Sequence, residues 1–197
     1  FTTSNDNVTF SSTLDSDDTA RAVTVAAGTG TVTFTGAVGG TDDLTTLTVT
    51  GGTITQTSTV ETTGAVLYTG AASIGGNVTV ATSGAFEVTG AATLTGDATI
   101  TTANDSNITF GSTIDGGQAL TLVAAAGDIS ITGAVGGTTR LGAFTVTSVA
   151  DFTASAGITA TSVVQTAGSG TSSFQVLNTN ASGGIDLTGT KIGRAHV

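Results

Sequence analysis

Apolar and hydroxyl-bearing residues alternate along most of this chain, in short segments separated by glycine-rich turns. Triplets with apolar residues at the first and third positions recur throughout, for example Val23-Thr24-Val25 and Ile129-Ser130-Ile131. Because successive side chains of a β-strand point to opposite faces, each triplet places two apolar side chains on one face and a hydroxyl on the other. No apolar stripe with helical spacing persists beyond a few residues. The pattern predicts an all-β fold made of short strands.

These segments belong to a long unit that occurs twice. The string TGAVGGT stands at residues 35–41 and again at residues 132–138. Three stretches of the first copy match the second: residues 2–15 with 101–115, residues 22–50 with 119–147, and residues 60–70 with 158–168. Self-similarity of this kind is typical of repeat architectures. We divide residues 1–190, a single continuous domain, into two copies at residues 1–100 and 101–190.

Energetics indicate how such short strands are held. Burying two aliphatic side chains stabilises a coil by roughly 3–6 kcal/mol. Ordering some ten backbone residues costs about 1–2 kcal/mol for each residue. A single coil cannot fold alone, whereas stacked coils cover one another's apolar side chains and hydrogen-bonding edges. The sequence therefore predicts a right-handed parallel β-helix, that is, a β-solenoid. Two tandem antiparallel β-sandwich domains are the alternative, since about 100 residues is also a typical sandwich size.

The recurring TGAVGGT string is predicted to form a corner between strands. We expect Val38 and Val135 to point into the core, and the Gly-Gly pair that follows each valine to adopt positive φ. The string contains no charge, nucleophile or metal ligand. Its recurrence therefore indicates a repeated piece of architecture.

Charge and composition narrow the possible partners. The 197 residues have a formal net charge of -10, and only 9% of them are charged. Nucleic-acid binding requires a basic surface, so we predict no nucleic-acid partner. No run of 18 apolar residues occurs, so we predict no membrane insertion of this segment. The chain contains no Cys, which excludes disulfides and thiolate metal sites.

Acidic residues are the first candidates for a ligand site. Residues 15–18 (DSDD) and Asp42-Asp43 offer carboxylates of the kind that Ca²⁺ prefers. The second copy replaces Asp42-Asp43 by Thr139-Arg140, although a site built into the repeat should survive duplication. Two acids recur in both copies and fit side-chain-capped turns: Asp6 with Asp105, and Asp15 with Asp115. We expect solvated loop acids, with no metal ligands.

The sequence offers few combinations of residues that could form a catalytic site. Hydrolysis of a glycoside requires paired carboxylates, and the only glutamates, Glu61 and Glu87, do not recur as Glu in the second copy. Serine chemistry requires a histidine, and the single one, His196, lies in the tail. We predict no enzymatic activity, no catalytic residues and no cofactor.

Alternating threonines raise a different possibility. Three segments have Thr at every second position: residues 31–35, 46–50 and 53–57. A regular threonine array on a solenoid face is a property of ice-binding proteins, provided that the pairs stack at one position of every coil. The spacing between the segments varies, so we predict a broken array of ordinary outward threonines.

The last seven residues, KIGRAHV, depart from the composition of the rest. The string resembles the translation of a common sequencing adapter. We therefore predict that residues 191–197 are a non-native or disordered tail, and exclude them from functional reasoning. We also expect the chain to be a segment of a longer protein.

The stretch at residues 108–147, with its echo at residues 8–50, resembles the repeats of filamentous-haemagglutinin-like and autotransporter-like bacterial adhesins. The resemblance covers almost all of the chain except the tail, and it lies in the texture of the repeats. It implies a β-helix passenger exported by a type V route, located outside the cell or on the bacterial outer surface, with roles in adhesion, aggregation or biofilm. No functional residue of the family has a counterpart motif here.

The expected function is therefore a non-enzymatic stalk or multivalent contact surface. Its expected partners are adjacent repeats of the same parent chain, and surface glycans or other cells. A ligand-binding solenoid module for carbohydrate, Ca²⁺ or ice is the alternative.

Overall fold

Short parallel strands wind through the computed structural model of this chain, which describes residues 1–181, 184–188 and, for the backbone, 191–194. All strand pairs in this part of the chain are parallel. They stack in about 8 turns. The predicted β-solenoid is confirmed, and the alternative of two tandem antiparallel sandwiches is wrong.

Each coil contributes a strand or a single bridge to three ladders, which we call A, B and C. Ladder A contains β1 (Val8–Phe10), β3 (Thr31–Phe34), the second parts of β4 (Thr46–Gln56) and β6 (Val66–Ile74), β9 (Ala92–Leu94), β12 (Ile114–Asp115), the first part of β17 (Ile158–Gln165) and β19 (Leu177–Thr179). Ladder B contains β2 (Ala22–Ala26), the first parts of β4 and β6, β8 (Phe86–Val88), β11 (Ile108–Phe110), β14 (Ile129–Ile131), β16 (Phe152–Ala154), β18 (Thr171–Phe174) and β21 (Lys191–Arg194). Ladder C contains β5 (Val60–Thr62), β7 (Val78–Val80), β10 (Ala98–Thr102), β13 (Leu120–Val123), β15 (Leu141–Ser148), the second part of β17 and β20 (Ile185–Leu187).

The coils differ in length although their strands remain in register. The shortest coil places Ala72 beside Ile54, 18 positions earlier, and the longest places Ser148 beside Val123, 25 positions earlier. Extra residues are accommodated in the turns, because the paired triplets keep the same alternation of buried and outward side chains.

A single hydrophobic cluster runs along the solenoid axis and includes residues of both copies. Val38 and Val135 are each 1% exposed, which confirms that both point inward. Three aromatic stacks cross from coil to coil: Phe1–Phe10–Phe34, Tyr68–Phe86–Phe110 and Phe144–Phe152–Phe174. The outward position of each triplet is a hydroxyl in most strands, as the alternation predicts.

The glycine pairs of the two TGAVGGT corners are only partly as predicted. Gly39 (φ 70°) and Gly136 (φ 66°) have positive φ, which confirms the prediction for the first glycine of each pair. Gly40 and Gly137 lie outside that region, so the prediction is wrong for the second. The first glycine is the one that passes close to the next coil: a Cβ on Gly39 would lie 2.1 Å from the carbonyl oxygen of Glu61.

The two sequence copies are offset by one ladder around the axis. Val8 belongs to ladder A, whereas its counterpart Ile108 belongs to ladder B. Val38 bridges Leu14 and Val60 on ladder C, whereas Val135 bridges residues of ladder A. From β1 the chain completes four coils to reach β9 on ladder A, and then passes ladder C before β11 arrives on ladder B. One copy therefore spans four and two-thirds coils.

The tail lies partly within the described residues. The backbone of residues 191–194 forms β21 beside β18. Residues 195–197, with His196, lie outside the described part, so the non-native or disordered nature of the tail stays a prediction. None of the described residues belongs to a helix long and apolar enough to cross a membrane.

Candidate functional site

Among the described residues, the two longest stacks of outward hydroxyls form two columns, one in each copy. Column one lies on ladder A and contains Thr9, Thr33, Thr55, Ser73 and Thr93. Column two lies on ladder B and contains Thr109, Ser130, Thr153 and Ser173. Each member is the direct partner of the next, so the hydroxyls repeat at the spacing of neighbouring strands, about 4.8 Å. The first four members of the two columns correspond in the repeat, so the duplication reproduces the column and shifts it by one ladder.

The triplet pattern fixes the direction of each column hydroxyl. Thr55 stands between the buried side chains of Ile54 and Gln56, and Thr109 stands between those of Ile108 and Phe110. The column side chains themselves are half-buried or exposed. Contacts between neighbouring hydroxyl residues across strands stabilise the ladder by roughly 0.2–1 kcal/mol for each pair.

Column hydroxyls differ from the hydroxyls in turns. In the turns, Thr57 Oγ1 donates to the carbonyl oxygen of Thr35 at 2.9 Å, and Thr166 Oγ1 donates to that of Thr147 at 2.9 Å. Within the described part of the chain, no column hydroxyl forms a hydrogen bond with another protein group. The columns therefore present donors and acceptors that remain available to an external partner.

A second kind of column accompanies each hydroxyl column, and again the copies agree. On ladder B it reads Thr24, Thr48, Leu67 and Glu87; on ladder C it reads Thr121, Thr145, Val164 and Asp186. Two threonines, an aliphatic residue and a carboxylate follow in the same order. We call these the mixed columns. Glu87 does not recur as Glu, but Asp186 supplies a carboxylate at the equivalent place.

The recurring acids Asp15 and Asp115 are structural, as the sequence predicts. Asp15 Oδ1 accepts a hydrogen bond from the N–H of Thr41 at 3.0 Å, and Asp115 Oδ1 accepts one from the N–H of Thr138 at 2.8 Å. Each carboxylate therefore caps a turn of the following coil.

Asp6 and Asp105 do not cap turns in this way; of the asparagines that precede them, Asn5 does, whereas Asn104 acts as a donor. Asn5 Oδ1 accepts from the N–H of Thr29 at 3.0 Å, and Asn104 Nδ2 donates to the carbonyl oxygen of Thr82. Elsewhere the same role links three successive coils, because Asn107 caps the N–H of Asp128 and Asp128 caps that of Asp151.

The acidic loop at residues 15–18 is tied to neighbouring groups. Arg21 Nε donates to Asp17 Oδ1 at 2.8 Å, and this hydrogen bond lowers the pKa of the Asp17 carboxyl. Ser16 Oγ donates to the backbone carbonyl of Asp43 at 2.9 Å. Among the described residues no three His, Cys, Asp or Glu side chains form a group able to hold a metal ion. The expectation that these acids are not metal ligands stays a prediction.

The two glutamates lie on different ladders and different coils. Glu61 is paired with Thr79 on ladder C, and Glu87 is paired with Leu67 and Thr109 on ladder B. The ladder pairings therefore do not bring the two carboxylates together. The absence of enzymatic activity stays a prediction.

An open depression lies at the turns between ladders C and B, lined by small side chains. Its lining residues are Ala125, Ala126, Ser148, Val149, Ala167, Gly168 and Ser169. Ser148 Oγ already accepts a hydrogen bond from the N–H of Ala125 at 3.1 Å. No charged side chain lines this depression.

Comparison with protein families, with curated proteins and with solved structures finds no match to this chain. The class of protein is therefore defined by the fold, a β-solenoid whose surface carries two hydroxyl columns. The proposal of a function rests on that geometry.

The sequence alone did not reveal these columns, because coils of unequal length separate their members irregularly. The threonine pairs stack over two coils only, at residues 31 and 33 and residues 53 and 55, as the predicted broken array requires, whereas the single hydroxyls of column one continue over five coils. The signal was present in the middle residue of every apolar triplet. Stacking those middle residues in chain order, one ladder at a time, would have given the columns.

Proposed function

We propose that this chain is a non-enzymatic structural and adhesive segment of a large extracellular bacterial protein, of the filamentous-haemagglutinin-like or autotransporter-like kind. The supporting observation is the pair of hydroxyl columns on a core that continues through both copies. The partners are adjacent repeats of the parent chain, together with surface glycans or other cells.

The stalk role follows from how the coils are held. Each coil is buried against its neighbours, so the solenoid is a stack whose length increases with the number of coils. About 8 turns at about 4.8 Å each give a rod of roughly 40 Å. More repeats in a parent chain lengthen the rod without any change in its cross-section.

The contact role follows from the free hydroxyls. A single threonine hydroxyl binds a sugar hydroxyl or a polar surface weakly, because it exchanges one hydrogen bond to water for another. Several hydroxyls held at a fixed spacing, on many chains at one surface, increase the apparent affinity by about 10²–10⁴ through avidity. The columns themselves consist of uncharged Thr and Ser residues, so we expect the contacts of their hydroxyls to depend little on salt.

The test compares the chain on beads with the chain free in solution, using immobilised glycans as the probe. The variant Thr33→Val with Thr55→Val removes two adjacent hydroxyls from column one and keeps the β-branched shape. The matched control is Thr24→Val with Thr48→Val, which removes two adjacent hydroxyls from a mixed column. We expect bead retention on at least one glycan, little binding of the free chain, and at least a several-fold loss of retention for the column-one variant alone.

Three results would contradict the proposal: no glycan retains the beads, the free chain binds as tightly as the beads, or the control loses as much retention as the column-one variant. Circular dichroism shows that both variants keep the β-rich fold before retention is compared.

A ligand-binding module is the second candidate function, and one observation favours ice as its ligand. Beside column one, Thr31 is paired with Thr53, so the strands of two neighbouring coils each present two outward threonines. Thermal hysteresis of the chain, lost in the Thr33→Val and Thr55→Val variant, would favour this candidate. A rise of the unfolding temperature with added Ca²⁺ would instead favour a calcium-binding module.

A further inference from the structure

Three asparagines stand directly before a strand, and each begins an Asn-x-Thr sequence. They are Asn7 before β1, Asn77 before β7 and Asn107 before β11. Asn-x-Ser/Thr is the acceptor sequence for attachment of a sugar to the side-chain nitrogen of asparagine. Two further sequences of this type begin at Asn104 and Asn180, and Ser182 of the second lies outside the described residues.

Asn77 and Asn107 belong to coils that are covered by other coils on both sides. β7 is paired with β5 and β10, and β11 is paired with β8 and β14. Both asparagine side chains are nevertheless exposed, because they stand at the outer surface of the stack. Their accessibility therefore does not depend on either end of the chain.

The fold uses the amide oxygen of each of these two asparagines and leaves the nitrogen free. Asn77 Oδ1 accepts a hydrogen bond from the N–H of Thr99 at 2.9 Å, and Asn107 Oδ1 accepts one from the N–H of Asp128 at 2.8 Å. A backbone N–H can only donate, so the amide atom that faces the next coil is the oxygen. Neither Nδ2 has a hydrogen-bond partner within the described part of the chain. The nitrogen that accepts a sugar is therefore held in place, exposed and unbonded.

The threonine of each sequence lies on the same face as its asparagine. A single buried residue, Val78 or Ile108, separates the two exposed or half-buried side chains, so the alternation of the strand turns both of them outward. Neither Thr79 nor Thr109 forms a side-chain hydrogen bond with another described residue. An enzyme that approaches from outside therefore meets the amide nitrogen and the hydroxyl together.

Asn104 begins the same kind of sequence three residues before Asn107, but the fold uses both of its groups. Asn104 Nδ2 donates to the carbonyl oxygen of Thr82. Ser106 Oγ accepts a hydrogen bond from the N–H of Gly84 at 2.9 Å. Both asparagines are exposed, so hydrogen bonding, and not exposure, distinguishes the two sites.

We propose that Asn77 and Asn107 are acceptor sites for an N-linked sugar in the folded chain, and that Asn104 is not. The donor is a sugar whose C1 carries a diphosphate. Nδ2 forms a bond to C1, and the bond between C1 and the diphosphate oxygen breaks. The diphosphate leaves with the electron pair, and one proton of Nδ2 passes to a base of the transferase.

The fold keeps its hydrogen bonds when the sugar is attached. Only one hydrogen of Nδ2 is replaced, so Oδ1 continues to accept from the next coil. The sugar on Asn77 stands beside ladder C, and the sugar on Asn107 stands beside ladder B, next to Thr109 of column two. The inference goes beyond the proposed function, because it concerns what is attached to the chain and holds whether or not the surface is adhesive.

The test treats the purified, folded chain in two separate arms. One arm contains UDP-glucose and a soluble asparagine glucosyltransferase, and the other contains a lipid-diphosphate-linked oligosaccharide and an oligosaccharyltransferase. Mass spectrometry of proteolytic fragments measures the modified fraction at each asparagine. We expect modification of Asn77 and Asn107 in at least one arm, and the arm that succeeds identifies the kind of donor.

Thr109 provides a variant that leaves the asparagine untouched. Thr109→Val removes the hydroxyl but keeps Asn107, its cap on the next coil and the β-branched shape. We expect this variant to lose modification at Asn107 and to keep it at Asn77. Thr109→Ser retains a hydroxyl and should retain modification at both sites.

The matched control is Asp105→Ile, which gives the Asn104 sequence the same middle residue as the Asn107 sequence. We expect Asn104 to stay unmodified in the folded variant, because its nitrogen and the Ser106 hydroxyl remain bonded. In an unfolded peptide of residues 101–110 with the same substitution, we expect both asparagines to be modified.

The proposal is overturned if Asn77 or Asn107 stays unmodified in both arms, or if Thr109→Val keeps modification at Asn107. It is also overturned if Asn104 behaves alike in the folded variant and in the peptide, since the fold would then not decide between the sites. Circular dichroism establishes that each variant is folded before it is treated.

Discussion

Tyr68 is the chain's only tyrosine, and its hydroxyl lies in the core beside a buried amide. The Tyr68 hydroxyl donates to Gln56 Oε1 at 3.0 Å, and Gln56 Nε2 donates to the carbonyl oxygen of Ser58 at 2.9 Å. Burial raises the pKa of Tyr68 well above the ordinary tyrosine value. These two side chains satisfy each other inside an otherwise apolar stack, so neither can be removed without leaving an unpaired polar group.

The raised pKa of Tyr68 makes the fold sensitive to alkali. The folded chain keeps the phenol neutral, so this contribution is complete below the unfolded tyrosine pKa of about 10 and is lost as the pH rises above it. Because the chain has one Tyr and no Trp, absorbance near 295 nm follows this single group. We expect ionisation to coincide with loss of β-structure by circular dichroism. A phenol that titrates near pH 10 in the folded chain would contradict this.

Tyr68→Phe tests the same pair at neutral pH. The substitution leaves Gln56 Oε1 without its donor, and we expect a loss of about 1–3 kcal/mol in the free energy of unfolding. The variant should also lose the part of the alkaline destabilisation that comes from the phenol. Urea denaturation at pH 7 and pH 10.5 measures both effects.

Asp115 supplies a second residue-scale prediction. Its carboxylate accepts hydrogen bonds from the N–H groups of Thr138 at 2.8 Å and Thr139 at 3.1 Å. We expect Asp115→Ala to lower the free energy of unfolding by about 1–2 kcal/mol. Asp115→Asn keeps the accepting oxygen and should cost less. Asp105→Ala, at an exposed position without such bonds, is the control in urea denaturation, and an equal loss there would refute the capping role.

The direction of a single side chain could be predicted from the sequence where the alternation of apolar and polar residues determines it. The inward direction of Val38 follows from its apolar character between small residues. The pairing of Tyr68 with Gln56 does not follow, because the two residues are 12 positions apart, lie on different ladders and meet only in the interior of the coil. Asn and Asp side chains can both cap a turn, so the sequence does not show which of the neighbouring residues Asn5 and Asp6 is the cap. The local geometry of the turn decides between them.

Glycines are required at the corners because neighbouring turns approach each other closely there. At Gly39 a Cβ would lie 2.1 Å from the carbonyl oxygen of Glu61, and at Gly136 it would lie 2.0 Å from that of Thr159. Both glycines also have positive φ. The corner strings recur because each must pass beneath the backbone of the next coil.

Gly39→Ala is therefore expected to destabilise the solenoid by more than about 1 kcal/mol, from a clash combined with an unfavourable φ. Gly40→Ala is the adjacent control: its Cβ would meet only the Ala37 side chain, at 3.1 Å, and its φ is ordinary. Thermal unfolding of the two variants gives the comparison. Equal stability of the two would show that the corner relaxes freely.

The strands themselves were predicted well where triplets stand alone and poorly where glycine occurs inside a strand. The sequence indicates that glycine-rich stretches separate strands. β4, however, runs from Thr46 to Gln56 through Gly51 and Gly52 without ending. These glycines allow one strand to bend from ladder B to ladder A, which a residue with a side chain would hinder at Gly52, where a Cβ would lie 2.4 Å from the carbonyl oxygen of Thr29.

At the scale of the whole molecule, stability is a sum of contacts between adjacent coils. Val38 bridges the coil before it and the coil after it, through Leu14 and Val60. Val38→Asp places an unpaired charge between them, and we expect a loss of about 4 kcal/mol or more. Hydrogen exchange should show β1 to β5 unprotected while β11 to β16 remain protected.

The control is Thr35→Asp, at an exposed position three residues before Val38, and this variant should leave hydrogen exchange unchanged. Uniform exchange along the whole Val38→Asp chain would contradict the additive behaviour of a solenoid. Unchanged protection of β1 to β5 would mean that Val38 does not hold these coils together.

The architecture followed from the sequence, whereas the arrangement of the two copies did not. The duplication and the apolar triplets suffice to predict stacked parallel coils. The offset between Val8 on ladder A and Ile108 on ladder B depends on the sum of the intervening coil lengths. Those lengths are set by turns whose sequences do not reveal how many residues each corner takes up.

The fractional number of coils in a copy has a geometric outcome for any longer array of the same unit. With four and two-thirds coils in each copy, three successive copies are needed before equivalent residues return to one side, after fourteen coils or roughly 67 Å. The hydroxyl columns of successive copies would then lie on three different sides of the rod in turn and follow a helical path around it. A flat partner lying along one side of such a rod would contact a hydroxyl column once in every three copies. Partners that bind from all three sides would together contact the column of every copy.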